Sequence, residues 1–122
     1  MDPLNWPAII VGTLIAFALG MLWFGPIFGK AWAKGSHGIK PPARLPVAAM
    51  LLQLAGTFLL ALVIGLTAQV NALGTAIAAI LALAVLQLAG GLFSQKSGAA
   101  ALIDGGYVVV MGALMILIQG LL

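Results

Sequence analysis

Four side chains could do chemistry in an otherwise apolar chain: Asp104, Tyr107 and the glutamines Gln53 and Gln87. A carboxylic acid can hold or pass a proton or ligate a cation, and a phenol and two carboxamides can hydrogen-bond to it. Gln53 lies seven residues in from Pro46, Gln87 six residues before Phe93, and Asp104 six residues after Gly98. At about 1.5 Å per helical residue, all three fall roughly 9–10 Å inside one boundary. Tyr107, at i+3 from Asp104, comes from the same broad face one turn deeper, and Gly105-Gly106 leaves the adjacent backbone bare for a close neighbour. A carboxylate at such depth is unfavourable unless it is protonated, paired or hydrogen-bonded. We therefore expect a polar layer in which Asp104 faces inward, lies within hydrogen-bonding reach of Gln53, Gln87 or Tyr107, directly or through one water, and fixes helix rotation. A proton relay or cation site, or a contact to another subunit, is the alternative.

Nothing else in the chain assembles a reaction. Cysteine is absent, which excludes disulfides, thiolate metal sites and thiol nucleophiles. His37 stands alone in a connection of glycine, serine and lysine, a poor metal site without carboxylate or thiolate partners. Ser36, Ser94 and Ser97 lack a nucleophile-elbow pattern and read as caps or turns, while Met21, Met50, Met111 and Met115 read as lipid-facing or gap-filling. The expectation is a non-enzyme with no cofactor and no metal.

The elements that must position these residues follow from length and hydropathy. With 64% hydrophobic and 6% charged residues, the chain leaves no room for a soluble domain. Apolar stretches at 6–24, 46–66, 72–93 and 99–122 each approach or exceed the roughly 20 residues a helix needs to cross about 30 Å of hydrocarbon. The fold class is therefore all-α: a single polytopic transmembrane domain of four helices over 1–122. Lys30, Lys34, Lys40 and Arg44 lie between the first two spans and Lys96 between the last two, whereas 67–71 and both termini carry no Lys or Arg side chain. Basic residues stay cytoplasmic, so both termini should face outward, into the periplasm if the cell is Gram-negative. Ala31-Trp32-Ala33 mimics a leader cleavage site. The start, Met1-Asp2-Pro3, has no basic n-region, and the first span is expected to be retained.

Asn5 is an N-cap candidate, with Pro7 in the first helical turn. Trp6 and Trp23, 17 residues and about 25 Å apart, read as interfacial anchors at the two headgroup layers. Gly25-Pro26 ends the helix. An amphipathic turn follows, with Phe28, Ala31 and Trp32 on one side and Lys30 and Lys34 on the other, suited to the cytoplasmic interface. Small or hydrogen-bonding residues recur every four positions: Gly12, Ala16 and Gly20; then Ala49, Gln53, Thr57, Ala61 and Gly65; then Gly74, Ala78 and Ala82. Such stripes allow close helix approach and are expected to pack inside the bundle, with a face for self-association or a partner as the alternative. Leu-Gln-Leu-Ala-Gly occurs at both 52–56 and 86–90, on helices of opposite direction, so no parallel repeat follows. The short connections at 67–71 and 94–98 predict two antiparallel hairpins.

Leu22-Trp23-Phe24-Gly25-Pro26-Ile27-Phe28-Gly29-Lys30-Ala31-Trp32 resembles the signature of a family of small bacterial membrane proteins catalogued only as a domain of unknown function. The family signature is Trp-[Tyr/Phe]-x-Pro…Phe-Gly-Lys-x-Trp after the first of four helices. Ala101-Leu102-Ile103-Asp104-Gly105-Gly106-Tyr107 resembles its small-residue-plus-tyrosine segment in the last helix. The resemblance implies the same four-helix inner-membrane architecture and no activity. It also implies asparagine as a common residue at position 104, which preserves hydrogen bonding without titration. The functional expectation is a protein that acts through helix packing, as a homo-oligomer or as an accessory or assembly subunit of a larger membrane complex. A small channel or proton-coupled transporter using Asp104 is the alternative. Expected partners are membrane lipids, anionic ones at the cytoplasmic face included, and a second copy or another membrane protein; no nucleic acid is expected. Topology is testable by single-cysteine labelling: a cysteine at Ser36 should be silent to an impermeant reagent added outside intact cells, and labelling there would invert the assignment.

Overall fold

The first helix starts where local chemistry places it. The Asn5 side-chain oxygen accepts from the Ala8 amide at 3.2 Å, and Pro7 occupies the first turn, where its missing N–H is not needed. The computed structural model describes residues 3–122, so Met1 and Asp2, on which the leader reading partly rests, lie outside the described residues. The described chain is all-helical, with α1 at Trp6–Leu22, α2 at Gly29–Gly35, α3 at Val47–Gln69, α4 at Leu73–Phe93 and α5 at Gly98–Leu121. Four helical stretches, Trp6–Ile27 and the helices α3, α4 and α5, are long and apolar enough to cross a membrane. The end holding the 36–46 connection and the 94–97 turn is called the basic end here, and the other the far end.

Between α1 and α2 the helix widens into a π-turn over Trp23–Ile27, in which the Phe28 amide reaches back to the Trp23 carbonyl at 2.9 Å. Pro26 forces this, since its ring and missing N–H are incompatible with the next α-helical turn. Gly25 leaves helical geometry and α2 folds back over the basic end. Both α3 and α4 close with paired backbone bonds around a left-handed residue. Ala72 and Asn71 amides bond to Thr67 and Ala68 carbonyls around Asn71, and Lys96 and Gln95 amides bond to Gly91 and Leu92 carbonyls around Gln95. The second turn delivers Lys96 directly to the start of α5, which Ser97 caps through its hydroxyl to the Ala100 amide at 3.0 Å.

Central in the bundle is α5, which touches all four other helices; 50% of its most apolar window is buried, against 22–28% for the other spans. Glycines on both helices permit its contact with α4. A Cβ at Gly105 would stand 3.0 Å from the Ala84 carbonyl oxygen, one at Gly112 2.6 Å from Ile80, and one at Gly91 3.1 Å from Ala101. On α1, Gly12 lies against Met115 and Gly20 against the Tyr107 ring, with Ala16 wholly buried between them. On α3, Thr57, Ala61 and Gly65 are buried, and Gly65 receives Ile9 of α1.

Two expectations are corrected. Gly74, Ala78 and Ala82 of α4 are exposed, because α4 turns Ala76, Ile80, Ala84 and Gly91 toward α5 instead. Ala49 and Gln53 are exposed too, because α3 leans on α1 and its first ten residues stand clear of the core, apart from half-buried Met50. Ser36 is buried against the basic end, which makes exposed Lys40 the better site for a labelling cysteine.

Packing on α1 gives a paired test. Ala16→Leu, at a position with no exposed surface, should destabilise by about 1–3 kcal/mol through overpacking. Leu14→Ala, where the side chain is 60% exposed, should stay within about 0.5 kcal/mol. Thermal unfolding in detergent ranks the two, and an equal loss would contradict this packing.

Candidate functional site

The carboxylate of Asp104 is answered by two donors, neither of them on the short list the sequence suggests. The Trp32 indole N–H donates to Oδ1 at 2.9 Å, and the Lys96 ammonium donates to Oδ2 at 2.9 Å. Lys96 also stands 5.2 Å from the Trp32 ring centroid, a cation–π distance, so carboxylate, ammonium and indole form a closed group. The Asp104 side chain is 11% exposed and that of Lys96 24%, as expected of a lysine whose stem covers apolar surface while its head reaches a partner. Asp104 faces inward, but it makes no direct hydrogen bond to Gln53, Gln87 or Tyr107; its direct donors are Trp32 and Lys96. Equal depth fixes only one coordinate, and α2 and the 94–97 turn bring donors closer than α3 or α4 does.

Trp32 reaches this position because α2 packs on the start of α5. The Ser97 amide donates to the Gly35 carbonyl at 2.8 Å, and a Cβ on Gly35 would meet Ala100 at 2.7 Å, so this contact needs glycine. The Trp23 indole donates to the Ile103 carbonyl at 2.9 Å. Phe24 meets both Trp32 and Tyr107 edge-on at centroid distances of 5.5 and 5.4 Å, and Trp23 lies 4.7 Å from Phe28. Gly29 is required where the chain turns, since a Cβ there would lie 2.8 Å from the Phe24 carbonyl oxygen.

Trp23 and Trp32 are thus half-buried structural donors, a role beyond the interfacial anchoring expected of them. Trp6 is 48% exposed at the far end, and Lys30 and Lys34 are exposed on the outer side of α2. Ala31 also faces outward, so of the three residues expected on the inner side only Phe28 and Trp32 lie there. The aromatic-rich stretch 22–32 and the segment 101–107, which look unrelated in sequence, are the two halves of one docking contact. The 94–97 turn adds a further tie, His37 Nε2 to the Ser94 carbonyl at 2.8 Å.

Beside the Asp104 group a cleft of about 840 Å³ opens between α3 and α4. Asp104, Tyr107, Gln53 and Gln87 all line it, with Trp32 and Phe24 at one side and Leu60, Leu83, Leu86 and Met111 as apolar wall. Tyr107 donates its hydroxyl to the Ala16 carbonyl at 2.6 Å, in the space left by Gly20, and Gln53 sits beside that hydroxyl. The polar residues therefore share a cleft without forming one bonded network. Among the described residues no cluster of three or more His, Cys, Asp or Glu could hold a metal ion.

The signal missed in the sequence was the double use of Lys96, read only as an orientation charge. The turn that places it eight residues before Asp104 is short enough to bring the two together. A double-mutant cycle tests the pair. Lys96→Met and Asp104→Asn should each destabilise by about 1–3 kcal/mol, and the double variant should lose measurably less than their sum. Asp104→Leu should cost about 2–4 kcal/mol, since it orphans the indole and the ammonium together. Unfolding followed by tryptophan fluorescence reads all four, and strict additivity would deny the coupling.

Residues 7–120 match the family described as Protein of unknown function (DUF1761). Neither a curated protein nor a solved structure matches the chain. With nearly its whole length covered, from the first turn of α1 to the last turn of α5, the chain belongs to the DUF1761 family.

Proposed function

We propose that the protein is a non-enzymatic component of a bacterial inner membrane that acts by association within the bilayer, as a homo-oligomer or as an accessory subunit of a larger complex. One observation carries this reading: α4 leaves Gly74, Ala78 and Ala82 uncovered on the side turned away from α5, and nothing lies within 4 Å of where a Gly74 Cβ would be. Small residues gain little from lipid contact but let a second helix come close, so an exposed stripe of this kind suits another subunit. The basic end is assigned to the cytoplasm, where exposed Lys30, Lys34, Lys40 and Arg44 suit contact with anionic lipid at about 1 kcal/mol per basic residue.

The conduction reading has less support. Asp104 is engaged by two donors, and toward the far end Ile9, Ile64 and Met115 fill the core.

Association is measured by light scattering of protein purified in mild detergent, with identification of whatever travels with it. Ala78→Leu should reduce the assembled mass or strip the partner, while Leu14→Ala should not. A wild-type protein that is monomeric and alone under these conditions would overturn the proposal. Orientation is checked separately with the cysteine-free background: a cysteine at Val70 should label from outside intact cells and one at Lys40 should not.

A further inference from the structure

Gln87 carries a carboxamide about 9 Å inside the basic boundary of a membrane-length helix. It is exposed to the cleft between α3 and α4 and, among the described residues, its side chain has no hydrogen-bond partner. A bare amide in hydrocarbon is unfavourable, and three further polar groups line the same cleft: Gln53, the Tyr107 hydroxyl and the Asp104 carboxylate. We propose that this cleft binds a single-chain, neutral, hydroxyl-headed amphiphile that enters sideways from the bilayer. Its head lies among Gln53, Gln87, Tyr107 and Asp104, and its chain runs along Leu60, Leu83, Leu86 and Met111.

Each part of that description follows from the cleft. Its volume, about 840 Å³, sits within the roughly 300–1,000 Å³ of small-ligand sites, and its wall is mainly apolar with the polar groups gathered within about one helical turn toward the basic end, the pattern an amphiphile requires. Exposed Leu52, Gln53, Leu86 and Gln87 leave it open at the side facing lipid. The charge pattern selects the head. No Lys or Arg lines the cleft, and Lys96, the cation next to Asp104, is already committed to that carboxylate. A phosphate or carboxylate head would therefore meet no counter-charge, and a cationic head would compete with Lys96. Hydroxyls suit what remains, because they donate to the carboxylate and to carboxamide oxygens and accept from carboxamide N–H groups. The site lies on a different side of α4 from Gly74, Ala78 and Ala82, so it stands or falls independently of the association proposed above.

The test uses the full-length protein in phosphatidylcholine nanodiscs and a long-chain monoacylglycerol bearing a diazirine in its chain. Saturable photolabelling of peptides carrying Leu83, Leu86 or Met111 is expected. Unlabelled monoacylglycerol should compete about tenfold better than the fatty acid or lysophosphatidylglycerol of the same chain length. Gly56→Leu, which projects into open space within the cleft, should abolish labelling, and Gln87→Leu should weaken it about tenfold. Leu14→Ala, at an exposed position of α1 outside the cleft, should leave it unchanged. Both cleft positions are exposed, so a wild-type elution profile verifies folding. Labelling that never saturates, that survives Gly56→Leu, or that is competed equally by the anionic lipids would overturn the proposal. Crosslinking from a photoreactive residue at position 87 into a second protein chain instead of lipid would do the same.

Discussion

A carboxylate placed two turns into a membrane-length helix has to be answered by donors from its own protein, and the arrangement of the basic end follows from how Asp104 is answered. Hydrocarbon offers no hydrogen bonds, and a lone charge there is expensive. Water near the interface could relieve part of that cost, but Asp104 is covered, and what covers it is the indole and ammonium that bond to it. For the indole to arrive, the chain after α1 must reverse and lie on the start of α5. The π-turn at Pro26, the glycines at 29 and 35, and the ring contacts of Trp23, Phe24 and Phe28 all serve that reversal. A short segment that composition alone would float in the headgroups becomes a structural clasp.

The remaining geometry divides between one tightly closed side and one open side. The α4–α5 contact is closed by glycines that bring backbone within van der Waals reach of its neighbour, an economical solution where lipid supplies no hydrophobic drive for helix association. In contrast, α3 leans on α1, and its first turns leave a cleft beside the Asp104 group. Tyr107 links the two sides, since its hydroxyl is held by α1 while its ring packs against Phe24 and one edge faces the cleft. Replacing Gly20 by any larger residue would drive this ring away, so the α1 glycine controls a cleft residue from another helix.

Span number, the start at Asn5 and Pro7, and the break at Gly25-Pro26 were legible because each depends on residues close together in sequence. Hydropathy over about 20 residues fixes a span, and a proline acts on its own preceding turn. Helix phase was less legible. In a helix as rich in alanine and glycine as α4, small residues spaced by four occur on more than one face, and only the neighbour decides which face is covered. The stripe at 74, 78 and 82 therefore looked as good as the buried set at 76, 80, 84 and 91. The partners of Asp104 were illegible for a different reason. Trp32 is 72 residues away, and its approach depends on the reversal of a segment whose destination no local pattern encodes.

The clasp on Asp104 separates chemically into two halves, and this bears on what a chain with asparagine at that position would retain. The oxygen of a carboxamide can accept from the Trp32 indole as Oδ1 does, so the fold-back of α2 does not require a charge. The other half does require it. A carboxamide nitrogen facing Lys96 would oppose one donor to another, and the ammonium would turn outward to solvent or a lipid phosphate, which its exposed position permits. The indole bond is thus the architectural part of the group, common to acid and amide. The ion pair is an addition particular to an acid, and it neutralises the one carboxylate bordering the cleft. A chain with asparagine would present there an uncharged floor and a released lysine, leaving the fold-back intact while changing the charge that a ligand head would meet.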